Sequence, residues 1–381
     1  MKYMGALRTA VIGMGNMGSQ YAAFLLAGRI PGMELCAVTR VRPKRLETLG
    51  LILPESLPVY PGADALFEAL DTGKLCLDAV IIATPHRMHE AQSIAAMKRG
   101  LHVLCDKPAG IYSRQARLME EARAEGLICA WIFHQRTYPA YRQIHQIVQS
   151  QTLGGLKRVS WTATDWYRSN AYYQSSSWRG TWKLDGGGTL LNQCPHNLDL
   201  LQWICGMPVR TRAFCHNGRY HPIEVEDDVT AYLEWENGAT GVFIASTGEA
   251  PGVNRLEITL DDGLIICQPE GVRVCRLDRP EKEYRVTLGD DFQMPSCACE
   301  TLPMEINPDP YVSILTNFAS AVMRKDPREL TAPWEEARKS LLMSNAIYLS
   351  SWTDRTVDIP LPGSEEEKAF EREFETHWRA M

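Results

Sequence analysis

The residues Gly13 to Gly18 constrain the fold of this chain more than any other short segment. They read Gly-Met-Gly-Asn-Met-Gly, they directly follow the apolar run Leu7 to Ile12, and a helical pattern begins within them. In this position the first glycine permits a tight turn, the second lets a pyrophosphate approach the backbone, and the third lets the helix pack closely on the strand. Amide groups at the helix N-terminus would face the phosphates. The segment therefore predicts a dinucleotide-binding site at the end of the first strand.

Short apolar runs alternate with helical patterns as far as residue 135. This alternation predicts an α/β domain over residues 1–135, a Rossmann fold with a doubly wound parallel sheet. The runs are almost continuously apolar, as expected of strands buried on both faces. They are Leu7 to Ile12, Leu35 to Val38, Ala79 to Ala83, His102 to Cys105 and Ile128 to Phe133. One helix is predicted from an N-cap at Ser113 to a stop at Gly126.

After Tyr138-Pro139 a helical segment is predicted to about Gln149, and beyond Gly154-Gly155 the pattern changes to strands without helices between them. Residues 136–381 are therefore predicted to form a second, α+β domain with a large, mostly antiparallel open sheet. The predicted strands are Leu156 to Thr164, Val229 to Glu236, Ala239 to Thr247, Arg255 to Leu260, Leu264 to Cys267 and Val272 to Leu277. Two late helices, Tyr311 to Arg324 and Trp334 to Trp352, are expected to cover this sheet or to pack back on the first domain. The charged segment Ser364 to Arg379 is predicted to be a solvated terminal helix.

Charge and composition exclude several classes of partner. A formal net charge of -6 gives no clustered positive charge for nucleic acid or for an anionic membrane surface, and no apolar run reaches the length of a membrane span. The 11 cysteines contain no CxxC pair, which favours reduced thiols in the cytoplasm. Cys297, Cys299 and Glu300 have no matching pair of ligands elsewhere at zinc-site spacing, so no metal is predicted. A small-molecule partner fits best.

The end of the second predicted strand bears on the choice of dinucleotide. NAD-binding domains place an acidic residue about 20 residues beyond the glycine loop, where its carboxylate accepts both ribose hydroxyls. Here the strand ends in Thr39 and Arg40. A hydroxyl and a guanidinium suit a 2′-phosphate, so the cofactor is NAD(P) with a preference for NADP. The alternative is that Arg40 stacks on an adenine while Arg42, Lys44 and Arg45 are solvated.

Two further loops follow predicted parallel strands, at the edge where such sheets bind ligands. They are Ala83 to His89 and Asp106-Lys107-Pro108. A lysine held near an oxidised, positively charged nicotinamide should have a lowered pKa, so Lys107 could accept an alcohol's proton as hydride leaves the same carbon. The predicted cofactor contacts are Gly13, Met14, Gly15, Asn16, Met17, Gly18, Thr39, Arg40, Thr84, Pro85, His86, His89, Asp106 and Lys107.

The segment Gly186 to Asp199 combines a flexible glycine run, a turn-setting proline and a histidine before an apolar helical pattern. His196 could take or give a proton near neutral pH, and Asn192, one helical turn earlier, could share its face. A histidine at a helix start can equally be a structural hydrogen-bonding residue. The position beside the other motifs favours a catalytic role.

Aromatic and arginine residues are concentrated between Trp161 and Trp182. Aromatic faces stack on sugar C–H surfaces, and arginines and hydroxyls bind the alcohols or a carboxylate. The alternative is that the tryptophans belong to the core and the arginines to the surface. The predicted substrate contacts are Lys107, Arg136, Tyr167, Arg168, Trp178, Arg179, Asn192 and His196.

Taken together, these motifs resemble those of the glucose-fructose oxidoreductase / inositol dehydrogenase / rhizopine catabolism (Gfo/Idh/MocA) family over nearly the whole chain. Asp106-Lys107-Pro108 stands where the family has Glu-Lys-Pro, and Gly186 to Asp199 stands where it has GG(x)LxDxGxHxxD. The resemblance implies a Rossmann domain, an α/β domain whose open sheet often forms oligomer contacts, and a nicotinamide between them. It also implies a homo-oligomer, a dimer or tetramer formed through the C-terminal sheet, with Lys107 and His196 as the catalytic pair.

The chain departs from the family pattern at three positions. Asp106 replaces a glutamate, Arg40 replaces the usual acid, and Asn192 replaces the aspartate four residues before the histidine. An amide cannot take up a proton, so the proton must travel through Lys107 and His196, and Asn192 is left to bind or orient a sugar hydroxyl.

The predicted function is an NAD(P)-dependent oxidoreductase that transfers hydride between nicotinamide and a secondary hydroxyl or keto group of a sugar, sugar acid, cyclitol or glycoside. One alternative is a glycoside-cleaving enzyme of the same family, in which transient C3 oxidation acidifies the C2 proton, the aglycone is eliminated and the bound cofactor is restored. Another is a non-catalytic cofactor-binding regulator, against which the presence of both Lys107 and His196 argues.

Overall fold

The computed structural model describes residues 5–41, 43–289 and 292–381. The chain divides into two compact units. The first comprises the residues up to Thr137 together with Pro308–Leu341, and the second comprises Tyr138–Asn307 and Leu342–Met381. The segment Pro308–Leu341 therefore belongs to the first unit, although it comes late in the sequence, after most strands of the second unit. The division into domains at residue 135 stays a prediction.

A parallel six-stranded sheet forms the centre of the first unit, in the order β3-β2-β1-β4-β5-β6. Its strands are β1 (Leu7–Ile12), β2 (Met33–Thr39), β3 (Val59–Tyr60), β4 (Ala79–Ile82), β5 (His102–Cys105) and β6 (Cys129–Trp131). The order reverses at β1, which confirms the doubly wound α/β fold. The two-residue strand β3 was not predicted, because it is too short to form an apolar run.

Five helices connect these strands: α1 (Asn16–Leu26), α2 (Pro43–Leu49), α3 (Ala63–Asp71), α4 (His89–Met97) and α5 (Ser113–Glu121). The predicted ends of α5 are wrong. Ser113 is the first helical residue rather than the N-cap, because the Gln115 side chain accepts the Ile111 amide at 2.7 Å and closes the turn one residue earlier. The helix ends at Glu121, and a separate turn leads to Gly126.

The second unit contains a nine-stranded sheet in the order β14-β13-β12-β11-β7-β10-β9-β8-β15. Its strands are β7 (Leu156–Ala163), β8 (Arg210–Asn217), β9 (Glu226–Glu234), β10 (Thr240–Ser246), β11 (Asn254–Leu260), β12 (Gly263–Gln268), β13 (Gly271–Leu277), β14 (Cys297–Leu302) and β15 (Val357–Asp358). Within it β7 and β10 pair in parallel and the other neighbours are antiparallel, which confirms the predicted mostly antiparallel open sheet. The strands β8, β14 and β15 were missed because their sequences are largely polar or short.

The remaining helices are α6 (Pro139–Gln149), α7 (Asn170–Gln174), α8 (Pro195–Cys205), α9 (Glu281–Thr287), α10 (Pro310–Arg324), α11 (Glu336–Thr353) and α12 (Glu365–Arg379). Of these, α10 belongs to the first unit. The prediction of a solvated terminal helix is wrong for α12, because Phe370 and Phe374 are buried and the Phe374 ring lies 5.2 Å from that of Trp352. Phe370 and Phe374 lie one helical turn apart among charged residues, so one face of α12 packs against the rest of the second unit.

Cys275 and Cys299 form a disulfide between β13 and β14, where they stand directly opposite each other. The prediction of reduced thiols is therefore wrong for this pair, and the cytoplasmic location inferred from it stays a prediction. Across the described ranges no cluster of three His, Cys, Asp or Glu side chains could hold a metal ion. The helices in the same ranges are all too short or too polar to cross a membrane.

The glycine run before α8 is anchored, which corrects the expectation of a flexible segment. The buried Glu226 carboxylate accepts the amides of Gly188 and Leu190 at 2.9 and 2.8 Å, and the Tyr348 hydroxyl at 2.7 Å. A Cβ atom on Gly188 would lie 1.9 Å from the Glu226 carbonyl oxygen, and one on Gly187 would lie 2.4 Å from the Tyr348 hydroxyl. Glycine is needed at both positions so that the backbone can approach these groups.

The ionisation of Glu226 should make stability depend on pH. Burial raises its pKa from the ordinary 4.5 to about 7, against the hydrogen bonds that favour the carboxylate. Between pH 4.5 and 7 the unfolded chain releases this proton while the folded chain retains it, so the contribution to stability falls as pH rises through this window. The loss amounts to about 3 kcal/mol. The substitution Glu226→Gln should remove this pH dependence of the free energy of unfolding.

Urea denaturation of the wild type and of Glu226→Gln, each from pH 4.5 to 7.5, checks this prediction. We expect the difference between their free energies of unfolding to change by about 3 kcal/mol over the range. The exposed Glu236→Gln serves as the control and should give a curve parallel to that of the wild type. A Glu226→Gln curve parallel to the wild type would contradict the assignment.

Candidate active site

The glycine loop of the first unit closes between β1, β2 and α1. Gly13 has φ +98°, and its amide donates to the Thr39 hydroxyl at 3.0 Å, while the Met14 amide donates to the Thr39 carbonyl at 3.2 Å. A Cβ atom on Gly18 would lie 1.9 Å from the Gly13 carbonyl oxygen. The first and third glycines therefore allow the turn and the close packing that the sequence motif predicts.

The accessible part of this loop is short. Gly15, Asn16 and Met17 are partly or fully exposed. A Cβ atom on Gly15 would meet no atom within 4 Å, and no side chain in the described part of the chain caps the N-terminus of α1. A pyrophosphate could therefore approach the Gly15 backbone and the first amides of α1, so the loop fits a dinucleotide.

Two of the predicted cofactor contacts in this loop are corrected. Met14 and Thr39 are almost completely buried, at 0% and 1% exposure, so they build the loop instead of touching a ligand. Arg40 is exposed at the end of β2, with φ 53°, and its backbone amide donates to the Tyr60 carbonyl at 3.0 Å. Arg42 and the side chains of Lys44 and Arg45 lie outside the described residues.

His89 connects the loop after β4 to the loop after β5. Its ring nitrogens lie 2.8 Å from the Thr84 carbonyl oxygen and 2.9 Å from the Pro108 carbonyl oxygen, and the side chain is fully buried. Burial lowers its pKa. With no exposed surface, His89 lies between the two loops and positions them; a direct contact with the cofactor stays a prediction. His86 is also buried, whereas Thr84 and Pro85 remain partly exposed.

Asp106 and Lys107 follow β5 directly. The Asp106 carboxylate accepts the Lys107 amide at 2.9 Å, and burial raises the pKa of Asp106 against the opposing charges of Lys107 and His89. Burial and the Asp106 charge raise the pKa of Tyr21. Burial, together with the charge of Lys107, lowers the pKa of His134 to about 3. These groups place the lysine among side chains with strongly shifted ionisation, as is common at active sites.

Tyr21 and Tyr311 were missed by the sequence analysis. The two rings lie 5.9 Å apart, and the Tyr311 ring lies 4.2 Å from that of His134. Tyr21 is one turn past the glycine loop on α1, so helical spacing could have identified it. Tyr311 lies on α10, in the segment that belongs to the first unit despite its position late in the sequence, and no local signal indicates it.

Arg136, predicted to contact the substrate, is buried and paired within the first unit, and that contact stays a prediction. It is only 1% exposed, its Nη2 lies 3.2 Å from the Glu336 carboxylate, and its Nη1 lies 3.4 Å from the Thr331 carbonyl. The guanidinium is thus a buried structural group that ties the segment after β6 to the start of α11.

In the second unit, the predicted catalytic histidine begins α8. Pro195 is the first helical residue, and His196, next to it, is 6% exposed. The neighbouring Asn197 accepts a hydrogen bond from the Trp166 indole at 3.2 Å. The helix start is thereby connected directly to the aromatic segment.

Asn192 is oriented by a carboxylate that the sequence analysis missed. Its Nδ2 lies 3.1 Å from both oxygens of Asp185, which is buried and also accepts the Gly180 amide at 3.0 Å. Asp185 immediately precedes the glycine run, so its position could have suggested a role. The expectation that Asn192 binds a sugar hydroxyl stays a prediction.

The aromatic segment is narrower than predicted. Trp161 and Trp182 are buried at 0% and 5% exposure, and Trp182 packs 5.5 Å from the Tyr348 ring, so both ends of the segment belong to the core. The middle is at least partly exposed and contains Tyr167, Arg168, Tyr172, Trp178 and Arg179.

Hydrogen bonds join this middle part to the histidine segment. The Tyr172 hydroxyl accepts from Arg179 Nη1 at 2.5 Å and from Gln193 Nε2 at 3.1 Å. His221 links Asp227, 2.9 Å from its Nδ1, to the Arg168 carbonyl, 2.8 Å from its Nε2. No role for His221 was predictable from its loop position in the sequence.

Each unit contains a cleft, and only that of the second unit bears on the candidate site. One of about 450 Å³ lies in the second unit and is lined by Arg179, Tyr173 and His221, among others. A larger one of about 990 Å³ lies in the first unit near His102 and Lys325. His102 is at the start of β5, the opposite end of the strand from Lys107, so the larger cleft is separate from the candidate site.

The chain matches two family models that together cover most of its length. Residues 7–133 match the oxidoreductase family with an NAD-binding Rossmann fold, and residues 141–266 match the GFO/IDH/MocA C-terminal domain.

Several individual proteins are also similar to the chain, at low sequence identity. It is 27% identical over 271 residues to D-glucoside 3-dehydrogenase of Escherichia coli K12, covering 66% of this chain and 73% of that protein. It is 24% identical to scyllo-inositol 2-dehydrogenase (NAD(+)) of Bacillus subtilis, covering 68% and 73%. A structure of levoglucosan dehydrogenase with NADH and L-sorbose has a TM-score of 0.73 at 18% identity and covers 94% of this chain and 100% of that one, which supports the fold. With both domains matched, the chain belongs to the GFO/IDH/MocA family of NAD-binding oxidoreductases.

Proposed function

We propose that the protein is an NAD(P)-dependent dehydrogenase that transfers hydride between nicotinamide and a secondary hydroxyl or keto group of a small carbohydrate: a sugar, sugar acid, cyclitol or glycoside. The observation that carries this proposal is the position of Lys107, at the carboxyl end of β5 in the same sheet whose β1 leads into the open Gly15 backbone. The names of the similar proteins, which include a glucoside and an inositol dehydrogenase, support the carbohydrate substrate.

In this proposal the chain supplies binding and proton transfer. When bound, the nicotinamide supplies hydride acceptance. Lys107 takes the proton of the substrate hydroxyl, and Asp106 and His89 hold the loop that carries it. His196 is the second proton carrier, an assignment that rests on the family pattern. Asn192, whose amide cannot accept a proton, orients a hydroxyl through its contact with Asp185.

The test begins with the nucleotide released by denaturing the purified protein, identified by its mass. The protein is then supplied with neutral sugars, sugar acids, cyclitols and aryl glycosides while reduced nicotinamide and free aglycone are both measured. Accumulation of reduced nicotinamide supports the proposal. Aglycone release without it would indicate redox-assisted glycoside cleavage, and neither signal would indicate a regulator.

Lys107→Met should remove activity and leave cofactor binding intact, because a positioned general base contributes about 100-fold or more to the rate. We expect kcat/KM to fall by at least that factor, measured by nicotinamide reduction, and the Kd for the dinucleotide to change little. Lys74→Met, at an exposed position, is the control and should match the wild type. An active Lys107→Met variant would remove the lysine from the mechanism.

We propose NADP as the preferred dinucleotide, because the exposed Arg40 stands where NAD-binding domains carry an acid. Arg40→Asp should reverse the preference: the charge pair with the 2′-phosphate is lost and a carboxylate becomes available to the ribose hydroxyls. Calorimetric titration with NAD and NADP should show a change of about tenfold or more in the ratio of the two affinities. Equal affinities for both dinucleotides, before and after the substitution, would refute this.

We also propose a homo-oligomer formed through the outer face of the second unit's sheet. Strand register places Phe214, Tyr232, Val242 and Ile244 on one face, and Phe214 and Tyr232 are 50% and 40% exposed. An exposed apolar face of this kind is typical of subunit interfaces. Sedimentation velocity should give the mass of a dimer or tetramer for the wild type and a smaller mass for Phe214→Glu; a monomeric wild type would refute the proposal.

A further inference from the structure

We propose that Arg168 and Arg179 bind an oxyanion, a carboxylate or a phosphate, carried by the carbohydrate substrate. The enzyme would then act on an acidic sugar in preference to a neutral one. This inference narrows the substrate class of the proposed function and rests on it. It follows from the placement, the missing partners and the surroundings of the two guanidinium groups.

Both guanidinium groups lie against the ring of Tyr172. The Cζ atom of Arg168 lies 5.1 Å from the ring centroid, and that of Arg179 lies 4.3 Å from it. A second aromatic ring supports each group: Trp166 at 5.5 Å for Arg168 and Trp178 at 4.4 Å for Arg179. Stacking on a ring occupies the face of a guanidinium and leaves its edge of N–H groups for a planar acceptor.

Each guanidinium holds a buried donor without a partner. The Nε atoms of Arg168 and Arg179 are both buried, and neither has a hydrogen-bond acceptor among the described residues. Each Nη1 already donates, that of Arg168 to the Tyr167 carbonyl at 2.8 Å and that of Arg179 to the Tyr172 hydroxyl at 2.5 Å. The Nη2 atoms have no acceptor among the described residues and are not buried, so a ligand would meet each guanidinium there. An unsatisfied buried donor costs about 1–3 kcal/mol, more when it is charged. Two such donors, in side chains that contact one ring, indicate that an acceptor absent from the protein completes the cluster.

Carboxylates of the second unit do not supply this acceptor. Within the described residues neither arginine forms an ion pair, whereas most other surface arginines of the unit do. The acids nearest in sequence have other partners: Asp165 accepts the Asn254 side-chain amide, and Asp185 accepts the Gly180 backbone amide. Asp227, which is distant in sequence, accepts three consecutive amides beginning at Arg219. The guanidinium groups of Arg168 and Arg179 therefore have no compensating negative charge among the described residues.

The arginine pair is held beside the predicted proton-transfer segment of the same unit. Trp166 donates to Asn197, next to His196, and Gln193, next to Asn192, donates to the Tyr172 hydroxyl that also accepts from Arg179. Arg179 also lines the cleft of about 450 Å³, a volume within the range of small-molecule sites. An anion held by these arginines would belong to the molecule whose hydroxyl group reacts.

The charge of the ligand follows from what the cluster lacks. A neutral sugar hydroxyl could accept from one guanidinium N–H group but would leave both positive charges uncompensated. A carboxylate or a phosphate accepts from the N–H edge of a guanidinium in pairs and also neutralises it. The two kinds of oxyanion share this chemistry, so the experiment has an arm for each.

Calorimetric titration of the dinucleotide-saturated protein tests the inference without requiring turnover. The probes are D-glucose, D-galactose and D-mannose, each compared with its C6 carboxylate and its 6-phosphate. We expect at least one acidic form to bind about tenfold or more tightly than its neutral parent, since hydrogen bonds to charged groups contribute about 1.5–3 kcal/mol. Whether the carboxylate or the phosphate is preferred identifies the oxyanion.

Substitutions of Arg168 and Arg179 test whether these side chains cause the preference for the acidic over the neutral sugar. Arg168→Gln and Arg179→Gln should each reduce the acid-to-neutral affinity ratio by about tenfold. The exposed Arg285→Gln removes the same charge from α9 and should leave the ratio unchanged. Arg168→Lys and Arg179→Lys retain the charge and replace the glutamine variants if those fail to fold; they should lower the ratio less.

The outcomes separate this inference from the proposed function. The inference is overturned if no acidic form binds more tightly than its neutral parent, or if the preference survives both glutamine substitutions. Nicotinamide reduction by neutral sugars, with no preference for acids, would leave the dehydrogenase proposal standing alone. Arginine-dependent binding of an acid, without nicotinamide reduction by any probe, would support the oxyanion site and count against the dehydrogenase.

Discussion

The parallel pairing of β1, β4 and β5 is the constraint on which the candidate active site of the first unit depends. In a parallel sheet all strands end at one edge, so the Gly13 loop, the Thr84 loop and Lys107 must emerge side by side. Hydrophobic burial on both faces of the sheet keeps these strands in place. The buried ring of His89 then fixes the spacing of two of the loops, because each of its nitrogens lies at hydrogen-bond distance from a carbonyl of a different loop. The short loop that carries Lys107, the proposed proton acceptor, is thereby held at this edge of the sheet.

A different interaction organises the second unit, where a buried carboxylate holds a glycine-rich backbone. Glu226 binds two amides of the segment before α8, and the glycines allow the approach. A second buried carboxylate, Asp185, orients Asn192 at the position where the family pattern has an acid. Both carboxylates therefore hold protein groups of this segment, and in the proposed function His196 carries the proton. Glu226 and Asp185 thus have partners within the protein, whereas Arg168 and Arg179 beside this segment have no acidic partner among the described residues.

Local sequence was enough to predict the glycine loop, the buried strands and the position of Lys107, because each depends on residues close together in the chain. Features set by distant residues were not predictable. Arg136 resembles a cleft residue until Glu336, 200 positions later, neutralises it. One face of the helix α12 is buried because Phe374 packs against Trp352, and the His134 ring packs against Tyr311. Both partners are far away in the sequence. Glu226 carries no motif of its own, since an acid at the start of a strand looks like any other in the sequence, whereas Asp185 is marked only by its position directly before the glycine run.

Isotope transfer shows whether the protein moves hydride between a carbohydrate and nicotinamide. A sugar that the protein turns over, with deuterium on its ring carbons, is incubated with the oxidised dinucleotide, and the mass of the reduced dinucleotide is measured. We expect each reduced nicotinamide to carry one deuterium derived from the sugar. Consumption of the sugar with no deuterium in the nicotinamide would contradict it.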